Sequence, residues 1–408
     1  MNFFGKKQKE IYLDHVSTTP VRKEVFEVMK PYWSEKFGNA GEKHRLGREA
    51  KIVLEQAREN VAKILNTSAK EIIFTSGGTE SNNLAILGFF NFIKSKTGTL
   101  NGYHAITSEI EHSSVLEIFK HLEKDGLEVS YIKVDKDGIV DLREIKEKIK
   151  NRTLMISIMF VNNEIGTIQP IEEIAKIIRK ERKSSAIFSP QNNELKFPIF
   201  HTDASQAPLF LDLDVKKLGV DMFTIDGQKI YGPKGIGALY IKKEVPIQSI
   251  SFGGKQEHGL RAGTENIPLI VGFSKALEMA QKEKENFSKR ILELQNYFID
   301  EILKNIPNSK LNGSREQRIP NNINISFENI DHEFLAVQLD ENGIFCSTKS
   351  ACLNDKNKDS YVLNAINRNS NKSGAIRFSL GKETTQIDIN YVVNILNKLI
   401  GGQRENRM

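Results

Sequence analysis

Between residues 51 and 240 the chain alternates short apolar, β-branched runs with amphipathic stretches of helical period. Parallel neighbouring strands need crossover connections, usually helical, so this rhythm dictates a layered α/β domain around a largely parallel sheet. The runs predict strands at 71–75, 103–107, 128–134, 154–161, 199–203, 221–225 and 237–241, with helices at 79–94, 112–124, 141–150 and 171–183. Several of these strands end on polar, Gly-rich or Asn-rich turns, where open α/β sheets gather their ligand groups.

After Gly263 the pattern changes to a long helix over 269–303, short strands at 322–327 and 375–380, and a terminal helix from about Ile387. That reads as a smaller α+β unit. The segment 184–198 is rich in Ser, Asn and Pro, has no periodicity, and stands where a short link would do, so it reads as a surface insertion. The expected organisation is a large domain over 17–265 and a smaller C-terminal one over 266–408, joined by the N-terminal segment 1–16.

With 408 residues, 39% hydrophobic and 27% charged, core burial is not limiting. The formal net charge of +6 is small and its charges are interspersed, so charge alone does not indicate nucleic-acid binding. The two cysteines, Cys346 and Cys352, have no CxxC spacing, which predicts neither a disulfide framework nor a cysteine zinc site, and a reducing compartment. Residues 1–10 lack the apolar run of a signal peptide, and no stretch approaches the roughly 18 apolar residues of a membrane span. A cytoplasmic protein with no bound metal is expected.

Three motifs carry chemistry. Phe74-Thr75-Ser76-Gly77-Gly78-Thr79-Glu80-Ser81-Asn82-Asn83 runs from strand through a Gly-rich turn into a helix start, where free N–H groups and the helix dipole favour a phosphate. His201-Thr202-Asp203-Ala204-Ser205-Gln206 sets an Asp at a strand end. Asp226-Gly227-Gln228-Lys229 sets a Lys in a tight turn after the next strand. An aldehyde cofactor needs such a Lys for its Schiff base and such an Asp to keep its pyridine nitrogen protonated.

With Tyr12-Leu13-Asp14, Glu111-His112-Ser113-Ser114-Val115, Val161-Asn162-Asn163-Glu164-Ile165-Gly166, Gly259-Leu260-Arg261-Ala262-Gly263-Thr264-Glu265-Asn266, Ser350-Ala351-Cys352 and Arg377-Phe378-Ser379-Leu380-Gly381, these motifs form an ordered set over nearly the whole chain. In that set the sequence resembles the class V aminotransferase family of fold-type I pyridoxal-phosphate enzymes, and within it the cysteine desulfurases. The resemblance implies a mostly parallel central sheet in the large domain and pyridoxal 5'-phosphate (PLP) as cofactor. It implies that Lys229 holds the cofactor, that Asp203 pairs with the ring nitrogen, and that His112 stacks on the ring and assists proton transfer. Asn163 and Gln206 would bond around the ring oxygen. Gly78 and Thr79 would hold the phosphate, helped by Gln228 and by Thr264 of a partner subunit, which implies a homodimer.

Cys352 lies in a strongly polar stretch, where a thiol can ionise, whereas Cys346 sits in an apolar one and reads as packing. The resemblance implies that Cys352 thiolate takes the sulfur of free L-cysteine, leaving alanine and an enzyme persulfide for an acceptor such as an iron–sulfur scaffold or a tRNA-thiolation enzyme. Arg377, with Asn163, is the natural clamp for the substrate carboxylate. A selenocysteine lyase or small-amino-acid aminotransferase of the same family, or a non-catalytic relative, is the competing expectation. The chain departs from the family pattern at Asp226 and Gln228, where a Ser and a His are usual, at His15-Val16-Ser17, and at Ala40-Gly41-Glu42-Lys43.

Overall fold

The computed structural model describes residues 9–184, 196–348, 360–366 and 375–405. Its large core is built on a seven-stranded sheet. In spatial order the strands are Ile72–Thr75, Gly237–Ile241, Met222–Asp226, Ile199–Asp203, Thr153–Ser157, His104–Ser108 and Glu128–Ile132. Neighbours pair in parallel except around Gly237–Ile241, which runs antiparallel to both of its neighbours. Apart from Glu128–Ile132 at one edge, these strands are buried along their whole length. That is why they read as near-continuous apolar runs rather than as alternating ones.

Polar side chains inside the sheet are satisfied sideways. His201 sits between Ser157 Oγ at 2.8 Å and Thr224 Oγ1 at 3.3 Å. Burial pushes its pKa down to about 4, so it is a neutral strut at physiological pH.

The expected strands and helices of this region are present with shifted ends. The strand expected over 154–161 stops at Ser157. Beyond it the chain still follows the neighbouring strand, with Ile158 N bonded to His201 O and Phe160 N to Asp203 O. Met159 N turns instead to the Glu111 carboxylate at 2.9 Å, which breaks the ladder. The insertion expected over 184–198 begins and ends in a short antiparallel ribbon, Lys183–Ser184 against Lys196–Phe197; residues 185–195 lie outside the described ones.

A helix that the reading above did not contain, Arg45–Ile64, buries Ala50, Leu54, Ala57 and Val61. It packs on the long helix Ile267–Asn305, with Asn60 Nδ2 donating to Ser274 Oγ at 2.9 Å. The long helix spans two cores. Ile267 to Ala280 belong to the core around the large sheet. Ile291 to Ile302 belong to a second core with the antiparallel strands Ser309–Leu311, Asn322–Phe327 and Ala375–Ser379 and the helix Gln386–Glu405. Ile11 and Leu13 also enter this second core, where Ile11–Tyr12 pairs in parallel with Ile344–Phe345.

Candidate active site

The sheet brings its motifs to one edge. The carboxyl ends of its parallel strands point the same way, and the turns that follow them line a single cleft. Gly78, Thr79, His112, Asn163, Asp203, Gln206, Gln228 and Lys229 all face it, and Arg377 reaches it from the smaller sheet. Two expected site residues remain to be placed. Thr264 is exposed and is not among the residues that line this cleft, and Cys352 lies outside the described residues.

Asp203 ends its strand almost fully buried. Its Oδ1 accepts from Ser205 N at 2.9 Å and Ser205 Oγ at 2.6 Å, and its Oδ2 accepts from Asn82 Nδ2 at 2.7 Å. Asn82 was not singled out from the sequence, although helical spacing from Gly78 puts it on the inward face. Its second amide hydrogen goes to Ser114 Oγ at 2.9 Å, and that hydroxyl is 2.8 Å from His112 Nδ1. Asn82 thereby ties the carboxylate to the imidazole. His112 caps the helix Ser113–Lys124, and its Nδ1 accepts from Ser114 N at 3.2 Å. An Nδ1 that accepts an N–H carries no proton, so in the neutral ring the proton sits on Nε2.

Lys229 lies in the one-turn 3-10 segment Gly227–Lys229. Its Nζ donates to Val16 O at 3.0 Å and Ser17 O at 2.5 Å, which holds the ammonium inside the cleft rather than in solvent. Gln206 Nε2 meets the same Val16 carbonyl at 3.1 Å. Residues 16 and 17 form one wall that the motif reading did not foresee, since the family signal there lies in its neighbours.

Arg377 is 2% exposed. It donates to Asp14 Oδ1 at 2.8 Å, Ser17 Oγ at 2.7 Å and Asn163 O at 3.1 Å, while its buried Nε has no partner among the described residues. A planar guanidinium that lines a cleft is suited to pairing with a carboxylate. Glu111, beside His112, is fully buried, and desolvation pushes its pKa up to about 8. It therefore stays protonated at neutral pH and adds no second anion next to Asp203.

The turn expected to hold the phosphate opens the helix Gly78–Thr97. Gly77 adopts φ +150°, and the helix has no side-chain cap there. A Cβ on Gly78 would stand 2.9 Å from Ser205 Oγ, and one on Gly237 would stand 2.8 Å from Gly77 Cα, so both positions need glycine. Uncapped N–H groups beside Thr79, a Lys reaching into the cleft and a buried Asp on its floor fit PLP in kind. The one group that does not fit is Asp226, whose Oδ2 stands 3.4 Å from the position of a Gly78 Cβ.

Both ends of the stretch that holds Cys352 are anchored at this cleft. On one side Ser347 pairs backbone to backbone with Arg377. On the other, Ser360 Oγ donates to Glu164 Oε2 at 2.5 Å, next to Asn163, and Tyr361 OH donates to Glu111 O at 2.6 Å, next to His112. Cys346 packs against the second core, and burial pushes its thiol up to about 12, so it forms no thiolate near neutral pH.

Comparison with known proteins agrees with this geometry. The aminotransferase class-V family model matches residues 11–392. The chain is 45% identical over 394 residues to the cysteine desulfurase IscS of Dictyoglomus turgidum, an alignment that covers 96% of this chain and 95% of that protein. Among solved structures it resembles one titled NifS-like protein, with TM-score 0.85 and 34% identity over 96% of this chain and 100% of the other. Another, titled SspA in complex with cysteine, matches with TM-score 0.76 and 33% identity over 91% and 99% of the two chains. The chain belongs to the aminotransferase class-V family and, within it, to the PLP-dependent cysteine desulfurases.

Proposed function

We propose that this cleft takes the sulfur from free L-cysteine and passes it to Cys352. The observation that carries the reading is that Lys229 and Asp203, from the ends of adjacent strands, face one cleft together with His112 and Arg377. Lys229 would hold the cofactor through its aldehyde, Asp203 would pair with the ring nitrogen, His112 would lie on the ring face, and Gly78, Thr79 and Gln228 would hold the phosphate. The cofactor, when bound, supplies an electron sink for the pair released at the substrate α-carbon.

The residues of the chain do the rest. Arg377 fixes the substrate carboxylate with two parallel N–H bonds, assisted by Asn163, and so sets the α-proton against the cleft wall. Lys229, once released, and His112 through Nε2 take up and return protons. Cys352 thiolate attacks the substrate sulfur: the bond from substrate Cβ to sulfur breaks, a sulfur–sulfur bond to Cys352 forms, and alanine leaves. Five extended residues span at most about 17 Å, so the thiol can reach the cleft from the Ser347 anchor beside Arg377.

In this reading the cleft lies between a large domain of 17–265 and a small domain of 266–408, the enzyme is a cytoplasmic homodimer, and Thr264 meets the phosphate of the partner subunit. The persulfide would serve an iron–sulfur scaffold or a tRNA-thiolation enzyme. Incubating the purified protein with cysteine and a thiol reductant is expected to yield alanine and sulfide in equal amounts. A Cys352→Ala variant is expected to lose both, and full activity in that variant would remove the assignment.

A further inference from the structure

Asp226 is the one side chain in the phosphate cradle whose charge opposes the ligand. It ends the strand Met222–Asp226, is almost fully buried, and makes no ion pair among the described residues. Its Oδ1 accepts from Gln228 N and its Oδ2 from Gln228 Nε2, both at 3.2 Å. Both carboxylate oxygens also lie 3.9 Å from where a Cβ of Gly77 would stand, against the turn that opens the helix. The acceptor groups therefore point at the place where the phosphate oxygens would bind.

Other charged groups near this point have partners of their own. Glu80, on the same helix, accepts from Ser76 N and is paired with Arg261. Asp203 adds a second carboxylate from the neighbouring strand, and Lys229 donates to the carbonyls of residues 16 and 17. His112 and Arg377 line the same cleft with their own partners.

A carboxylate offers a phosphate no donor, so contact requires one proton between them. The phosphate ester, with a second pKa near 6, can carry that proton near neutral pH. We propose that this enzyme binds the cofactor as the singly ionised phosphate, whose remaining O–H donates to Asp226. This rests on the reading of the cleft as a PLP site and adds one consequence to it: cofactor binding takes up one proton from solvent above the second pKa of the phosphate. Affinity for the cofactor then falls as pH rises, by about tenfold per pH unit from this group.

The test is equilibrium dialysis of PLP against the full-length chain, stripped of cofactor, from pH 6 to 9, for wild type, Asp226→Asn and Asp226→Ser. Asn and Ser both keep an oxygen to cap the turn at Gln228 N. The ratio of wild-type Kd to variant Kd cancels the titration of Lys229, and it is expected to climb about tenfold per pH unit above pH 7. The phosphorus NMR shift of bound cofactor at pH 8 is expected to be that of the monoanion in wild type and of the dianion in both variants. A Kd ratio that is flat with pH, or a dianion shift in wild type, overturns the proposal while leaving the cofactor site standing. Wild type that binds no PLP at any pH overturns the cofactor site and the proposal together.

Discussion

A buried guanidinium must find hydrogen-bond acceptors, and Arg377 finds the Asp14 carboxylate, the Ser17 hydroxyl and the Asn163 carbonyl. Asp14 lies 363 positions away in the chain, and no local pattern could have paired the two. Lys229 and Asp203 were legible because each sits in its own strand–turn signature. Asn82 was visible only as one letter of a motif. The Arg377 fork also makes a residue-scale prediction: Arg377→Lys leaves one point charge where two parallel bonds are needed, a loss of about 2 kcal/mol. The kcat/KM for cysteine is expected to fall roughly thirtyfold, with cofactor content unchanged. Asp226 is the converse case. The sequence marked it as a departure from the family pattern, but its direction, toward the Gly77–Gly78 turn, comes only from the packing.

At the scale of elements, the buried strands were legible because each is a short apolar run closed by a turn. The antiparallel direction of Gly237–Ile241 was not called. The connection 227–236 holds only a 3-10 turn, which is too little for a parallel crossover, so the signal was present. The edge strand Ile72–Thr75 was legible as a strand but not as an edge. It is closed by a clasp assembled from two distant segments. Arg58, on the helix Arg45–Ile64, donates to both Glu257 oxygens at 2.7 Å and to Ile72 O at 2.8 Å, while Phe74 N donates to Glu257 Oε2 at 2.8 Å. Both partners are buried, so removing the Glu257 charge leaves Arg58 only the more distant, exposed Glu55 at 3.4 Å. Glu257→Gln is expected to lower unfolding free energy by about 3 to 5 kcal/mol, measured as a shift of the urea midpoint at constant slope. An unchanged midpoint would show that the clasp is ornamental. Because the Gly77–Gly78 turn directly follows this strand, the same variant should also weaken phosphate retention.

For the whole molecule, the motif set predicted the fold class because its three cofactor motifs mark strand ends, and strand ends converge when the sheet is parallel. What the motifs could not specify is how the second core meets that edge. The long helix and residues 11–17 arrange this, carrying Arg377 and the carbonyls of Val16 and Ser17 to the cleft. The central claim is that the cleft delivers sulfur to one thiol. Mass spectrometry of the protein after reaction with cysteine, with no reductant present, tests it directly. The peptide that contains Cys352 is expected to gain the mass of one sulfur atom, the peptide with Cys346 to gain none, and a Lys229→Ala variant to show no gain at all. Alanine released at full rate while the Cys352 peptide keeps its original mass would contradict the account.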